Sequence, residues 1–299
     1  MSTLSWNCRG LGNPQTVREV VNLVSKKKPE FVFLLDTKVD RSHVERLRVK
    51  LGWEGCFCVD SLGLKGDLCL LWAKNNIARL ISFSRNHIDL VVTLPNRHHW
   101  RLTCYYGYPE NTRRRDAWNF LKSLKGASNL PWVVLGDFND LLTQADKRGH
   151  LPHPNGLIDG FREALAVCIL STMPMLGYPF TWEGGRGTVD WVEERLDRVV
   201  TDVEWLAGND KARLYNIQTL NSNHSALFLD IYSTHGAVQL RSFRFENAWL
   251  LDDGCREVVV GEWTHSAGQH LQYRHVSCGR GLKRWGANIF ISMAPGSKP

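Results

Sequence analysis

Apolar and polar positions alternate with two different periods along this chain. Short runs rich in Val, Leu, Phe and Tyr carry the strand pattern: Phe31 to Leu35, Leu68 to Trp72, Leu90 to Leu94, Arg101 to Tyr106, Trp132 to Leu135 and Leu227 to Ile231. Between some of them the period lengthens to that of a helix. Asn13 is placed to cap, and Pro14 to open, a segment reaching Lys27 that sets Val17, Val20, Val21 and Val24 on one face. Arg41 to Leu51 and Thr112 to Leu124 are built the same way. Hairpin-like neighbours mixed with helical crossovers predict mixed sheets with helices outside, not a purely parallel doubly wound sheet. The pattern changes after Ser233. Thr234 to Ala237 reads as a linker, and Arg241 to Val260 as partly helical, anchored by Phe243, Phe245, Trp249 and Leu250. From about Gly279 the chain is irregular and is expected to fray. The expected division is a domain over 1–233 and a partly helical extension over 234–299.

Composition narrows the picture only a little. The 299 residues, 43% hydrophobic and 10% aromatic, can bury a substantial core. A net charge of +7 favours a polyanionic partner or simple solubility. The densest basic runs, Arg97 to Arg101 and Arg113 to Arg115, read singly as a solvated loop and a solvated helix start. None of the eight cysteines forms a CxxC pair, which argues against a zinc ribbon. Their apolar neighbours, as in Leu68-Cys69-Leu70, mark them as small core residues in a reducing compartment. The N-terminus has no charged start followed by an apolar run, so a secretory signal is not expected. No apolar stretch is long enough to span a bilayer, so no membrane association is expected.

Several polar residues stand where predicted strands end, positions from which a rigid strand can aim a side chain. Asn7 closes the first strand, Asp36 follows Leu35, and Tyr106 ends the strand that begins at Arg101. Asp137 and Asn139 follow Leu135, Asp197 lies in Glu194-Arg195-Leu196-Asp197-Arg198, and Asn223-His224 precedes the last strand. Each has an ordinary alternative. A lone Asp after a strand is usually a turn or cap, Tyr106 can be a half-buried strand former, and Asp197 can pair with Arg195 or Arg198. The set and its order carry more weight than any member.

That set resembles the endonuclease/exonuclease/phosphatase superfamily, and most closely the endonuclease of plant LINE-type (non-LTR) retrotransposons. Trp6-Asn7-Cys8-Arg9-Gly10-Leu11-Gly12 is similar to the opening motif, Leu34-Leu35-Asp36-Thr37-Lys38 to the second, and Tyr106-Gly107-Tyr108-Pro109 to the third. Gly136-Asp137-Phe138-Asn139, Glu194 to Arg198 and Ser222-Asn223-His224 resemble the remaining three. Phe243 to Leu250 resembles the linker that follows the endonuclease in such elements; no reverse transcriptase follows here.

The resemblance implies a DNase I-like α/β fold, a four-layer sandwich of two mixed β-sheets flanked by helices, with the site at one rim. It implies Mg²⁺, with Mn²⁺ as a substitute, held near Asp36, Asn7 and Asn223. It implies that Asp137 orients or deprotonates water, that Asn139 and Tyr106 steady the phosphate, and that Asp197 orients His224. Arg9 and Trp182 would bind substrate. DNA is the implied partner, nicking the implied reaction and the nucleus the implied location, with no obligate protein partner. Two positions depart from the family pattern: Asp36 stands where Glu is usual, and Asn223 where Asp is usual. They make a catalytically impaired retrotransposon remnant one alternative. A phosphatase of the same superfamily, acting on a small phosphorylated substrate, is another.

Overall fold

The computed structural model describes residues 1–59, 68–93, 99–231 and 252–268, with positions 274, 275, 277–279, 281, 282, 284 and 285. In chain order the strands are β1 (Ser2–Asn7), β2 (Phe31–Leu35), β3 (Gly55–Val59), β4 (Leu68–Trp72), β5 (Ala78–Ser84), β6 (His87–Val92), β7 (Trp100–Tyr106) and β8 (Trp132–Asp137). They continue as β9 (Lys147–Arg148), β10 (Ser171–Thr172), β11 (Met175–Leu176), β12 (Trp182–Gly184), β13 (Val192–Glu194), β14 (Asp197–Thr201), β15 (Arg213–Ile217) and β16 (Ala226–Asp230). The helices are α1 (Pro14–Lys27), α2 (Arg41–Leu51), α3 (Arg114–Lys125), α4 (Asn155–Cys168), α5 (Val203–Gly208) and α6 (Asp253–His265).

Two large mixed sheets result. One has the order β11-β15-β16-β1-β2-β4-β3, the other β10-β14-β8-β7-β6-β5, and a small third sheet is β12-β13-β9. Strand alternation decides how they stack. Phe31, Phe33, Leu35, Leu68 and Leu70 of the first sheet share one buried cluster with Ile88, Leu90, Leu102, Cys104, Val133, Leu135 and Val199 of the second. The intervening residues face outwards. Leu4, Trp6, Val32, Leu34 and Leu71 meet Val20, Leu23, Val24, Val44 and Leu47 of α1 and α2. Val134 and Val200 meet Leu121, Leu124, Phe161 and Leu165 of α3 and α4. The central strands are thus apolar on both faces, as a sheet covered on both sides requires. The order helix, sheet, sheet, helix is the expected four-layer sandwich.

The helix ends follow local chemistry. Asn13 accepts from the Gln15 amide, Pro14 opens α1, and Lys28 closes it in the left-handed region. Asp40 caps α2 through the His43 amide, and Gly52 at φ +70° ends it. The lysines at 26–28 therefore end a helix.

Two basic residues read as solvated are not. Arg101 is 1% exposed in a central strand. It donates from Nε and NH2 to Asp89 at 2.7–3.0 Å and from NH1 to the Leu124 carbonyl at 2.6 Å, with its guanidinium over Trp132. Arg114, in the first turn of α3, is buried against Asp140 at 3.3 Å and donates to the Pro109 carbonyl. In both cases a buried carboxylate on a neighbouring element supplies the compensation that burying a guanidinium demands. Arg97 lies outside the described residues.

The chain divides into two compact units, Met1–Gly236 and Ala237–Pro299. In the second, Asp252 caps α6 through the Gly254 amide, and Glu262 accepts from Ser277 and pairs with Arg284. The expected linker at 234–237, the anchors at 243–250 and the end of the tail lie outside the described residues. No helix among the described residues is long and apolar enough to cross a membrane.

The Arg101–Asp89 pair yields a stability prediction. Asp89→Ala strands a buried guanidinium and costs about 3–5 kcal/mol, the usual penalty for removing one partner of a buried pair. Urea unfolding measures it, and a loss near that of a surface substitution would contradict the argument.

Candidate active site

Strand register brings the candidate residues to one rim. Parallel pairing of β1 with β2 sets Asn7 beside Leu35, so Asp36 lies just beyond. Parallel pairing of β7 with β8 sets Tyr106 beside Asp137, and antiparallel pairing of β14 with β8 sets Asp197 opposite Asp137. β16 runs antiparallel to β1, so His224, just before it, comes to the end where β1 finishes. The tight approach of β7 and β8 needs glycine twice. A Cβ on Gly136, at φ +142°, would sit 2.0 Å from the Tyr105 carbonyl oxygen, and one on Gly107 would sit 2.2 Å from that of Phe138.

Side chains then link the two sheets. Asn7 Nδ2 donates to Asp137 Oδ2 at 3.0 Å. His224 Nδ1 lies 2.9 Å from Asp197 Oδ2, and its Nε2 lies 3.9 Å from Asp137 Oδ2. Asn139, at φ +56°, donates its backbone N–H to Asp137 Oδ1 at 2.9 Å and its amide to the Gly107 carbonyl at 3.0 Å. Asp137, Asp197 and His224 are 1%, 2% and 4% exposed, so their charges interact through protein more than through water.

That burial sets the protonation states. Burial first, and then the Asp197 carboxylate, raise Asp137 to about 6, although His224, Asn7 and the Asn139 amide pull the other way. Burial alone would lower His224, but Asp197 and Asp137 outweigh it and the net shift is upward. Tyr106 is pushed up by burial and then by Asp137 and Asp36, so its phenol stays a donor.

The expected metal side is more open. Asp36 adopts φ +52°, and its carboxylate pairs with Lys38 at 3.1 Å and lies 3.9 Å from Arg9. Arg9 NH1 also donates to Asn223 Oδ1 at 3.2 Å. Asn7 Oδ1 is buried and has no hydrogen-bond partner. An open, buried amide oxygen beside a carboxylate loop suits a hard cation such as Mg²⁺, which takes oxygen ligands. Asp137, Asp197 and His224 also place ligand atoms within 4.8 Å of one another. Their imidazole is engaged by Asp197, and an N-containing set suits transition metals better than Mg²⁺. We therefore read them as a proton-handling group. Trp182 forms an isolated bridge with His224, their rings 6.5 Å apart. Arg195 and Arg198 do not take Asp197: Arg198 pairs with Asp146 at 2.8 Å and leaves Asp197 to the histidine.

Three supporting residues escaped the sequence reading. Thr181 Oγ1 accepts from the Asp197 amide at 2.9 Å and fixes where that carboxylate starts. Ser222 Oγ donates to the Asn7 carbonyl at 2.8 Å and accepts from the His224 amide, tying the histidine loop to β1. Glu19, on α1, accepts from the Leu220 and Asn221 amides and from Asn221 Nδ2. Ser222 stands inside a quoted motif. Glu19 sits 201 residues from its partner, and no local pattern announces it.

Two mixed sheets packed face to face, helices outside and acidic and amide groups at one rim define a DNase I-like α/β protein. The chain belongs to the Endonuclease/Exonuclease/phosphatase family, which it matches over residues 4–225. No curated protein matches the sequence. Among solved structures, the endonuclease domain of TRAS1, a telomere-specific non-LTR retrotransposon, is 13% identical with a TM-score of 0.57, covering 78% of this chain and 99% of that one. A Neisseria 3′ phosphatase bound to a product DNA hairpin is 17% identical with a TM-score of 0.59, covering 77% and 98%. An AP endonuclease from Archaeoglobus fulgidus is 12% identical with a TM-score of 0.58, covering 77% and 98%. At these identities the likeness is one of fold.

Asp197→Asn keeps an acceptor for His224 but removes the charge that favours the imidazolium, so the His224 pKa falls. In the parent the folded pKa lies above the ordinary 6.5. The charged pair therefore adds stability that is complete below that value and is lost as pH rises through the folded pKa. An NMR titration of the His224 ring protons reads the shift; an unchanged or higher pKa in Asp197→Asn would contradict the assignment.

Proposed function

We propose that this chain is a divalent-metal-dependent endonuclease that nicks DNA, derived from a LINE-type non-LTR retrotransposon. The observation that carries the reading is the rim group: Asn7 hydrogen-bonded to Asp137, and His224 hydrogen-bonded to Asp197 with its Nε2 3.9 Å from Asp137. It offers a buried carboxylate with a pKa near neutrality beside a histidine biased towards its cation, the two states that hydrolysis of a phosphodiester needs. The fold shared with a retrotransposon endonuclease domain and a DNA-bound phosphatase supports DNA over a small phosphate ester. On this reading the enzyme works in the nucleus, where its DNA substrate would lie.

Asp137, raised to about 6, accepts a proton from the attacking water near neutral pH. Asn139, anchored on Gly107, steadies the water and the phosphate. Tyr106, its phenol kept protonated, donates a hydrogen bond to a phosphate oxygen. His224, kept cationic by Asp197, faces the negative charge that grows as the bond breaks. Asp36, Asn7 and Asn223 would hold Mg²⁺ or Mn²⁺, which when bound neutralises charge on the scissile phosphate and the leaving oxygen. Arg9 and Trp182 contact the DNA, Arg9 through backbone phosphate with little sequence information.

A second reading, an impaired copy, draws on the metal side. Asp36 is already paired with Lys38, and Asn223 brings no charge. Nicking of supercoiled plasmid with Mg²⁺ and Mn²⁺ tests both. The endonuclease reading expects nicking that falls about 10²–10³-fold in His224→Ala, the usual cost of removing a group that stabilises transition-state charge. The impaired-copy reading expects a silent parent and activity in Asp36→Glu/Asn223→Asp. Folded protein that stays silent in both forms rules out the endonuclease reading.

A further inference from the structure

Asp36, Asn223, Arg9 and Lys38 are joined by contacts that the proposed roles of these residues do not explain. Lys38 Nζ lies 3.1 Å from Asp36 Oδ2, and Arg9 Nε lies 3.9 Å from the same oxygen. Arg9 NH1 reaches Asn223 Oδ1 at 3.2 Å, so one guanidinium spans both positions that depart from the family pattern. Arg9, Asp36 and Lys38 all have φ between +52° and +54°, a region that L residues seldom adopt. Three such residues lie in two adjoining loops. Close by, Asn7 Oδ1 is buried with its acceptor capacity unused.

The charge arithmetic is simple. A divalent ion at Asp36 brings two positive charges, and Arg9 and Lys38 already bring two. Both cannot sit close to one carboxylate without strong repulsion. Asp36 is also one methylene shorter than a glutamate, which keeps its carboxylate near its own loop, where Lys38 stands. Asn223, being neutral, adds nothing that would favour an ion over the guanidinium.

We propose that Arg9 and Lys38 form a resident cation pair that competes with a divalent ion for Asp36 and Asn223, so that metal uptake requires their displacement. A phosphodiester is the chemistry that displaces them. Its anionic oxygens attract both side chains, which are 47% and 39% exposed. Metal entry is then coupled to the arrival of a phosphate backbone, and the coupling is reciprocal.

This role rests on the metal-dependent reading, and direct Mn²⁺ binding separates the two. Mn²⁺ affinity is measured by calorimetry, and by the paramagnetic resonance of free Mn²⁺, with no DNA present. The proteins compared are the parent, Arg9→Gln, Arg9→Lys, Lys38→Gln, Arg9→Gln/Lys38→Gln, and Asp36→Glu/Asn223→Asp. Each neutral variant should bind Mn²⁺ about ten-fold tighter, a modest share of the repulsion between contacting charges near a protein surface. The double neutral variant should gain more than either single one. Arg9→Lys keeps the charge and should stay within about two-fold of the parent, an outcome that loss of packing alone would not produce. Melting temperatures confirm that all the proteins are folded. Equal Mn²⁺ affinity in the parent and the double neutral variant, or a lower one in the variant, overturns the proposal and leaves the metal reading standing. Absence of Mn²⁺ binding in every protein, Asp36→Glu/Asn223→Asp included, overturns both.

Discussion

The candidate site depends on buried hydrogen bonds between the two sheets, first among them Asn7 Nδ2 on Asp137 Oδ2, 3.0 Å long and 3% and 1% exposed at its two ends. Asn7 ends the central strand of one sheet, and Asp137 ends a strand of the other. The apolar filling between the sheets sets their spacing, but it is non-directional and cannot fix how the rims align. A buried amide meeting a buried carboxylate can. If the sheets slide, the carboxylate loses a donor it cannot replace from water, and an unsatisfied buried charge is expensive. The bond also leaves Asn7 Oδ1 buried without a donor.

Everything on the Asp137 side follows from dryness. Two carboxylates and an imidazole with almost no exposure cannot each keep an ordinary pKa. Asp137 moves up towards neutrality because burial and Asp197 both oppose its charge, while the same two carboxylates favour the cation on His224. The supporting bonds are backbone bonds for the same reason. Thr181, Ser222 and the Asn139 amide hold these groups without adding a further charge. On the Asp36 side water reaches the groups, and ion pairs with long, half-exposed side chains replace buried hydrogen bonds. The rim is dry and hydrogen-bonded around Asp137, and ion-paired with half-exposed side chains around Asp36.

The sequence made this rim legible because its residues lie at strand ends, where a change of period marks the boundary. Phe31 to Leu35 stands in the structure with the bounds read from the pattern, and Asp36 follows it as expected. Asn7, Tyr106, Asp137, Asp197 and His224 come together because register does the rest, and register follows from alternation. Between Lys147 and Glu194 much less was read. Strands of two or three residues carry no period, so β9 to β13 leave no pattern to find. α4 was missed for a weaker reason, since Ile158, Phe161, Leu165 and Cys168 do fall at helical spacing. Arg101 and Arg114 show the opposite failure. Local sequence reported charge, and only tertiary structure supplied Asp89 and Asp140, the partners that let those charges be buried.

The two departures from the family pattern fall on the half-exposed side, and that is where the fold tolerates them. Replacing Asp137 or Asp197 would leave a buried imidazole or amide short of its partner and would threaten folding as well as chemistry. A change at Asp36 or Asn223 meets partners of another kind: Arg9 and Lys38 are long and partly solvated, and the neutral amide of Asn223 accepts from Arg9. Burial thus separates the two halves of the rim: a change at Asp137 or Asp197 strands a buried partner, whereas one at Asp36 or Asn223 meets Arg9 and Lys38, which water also solvates.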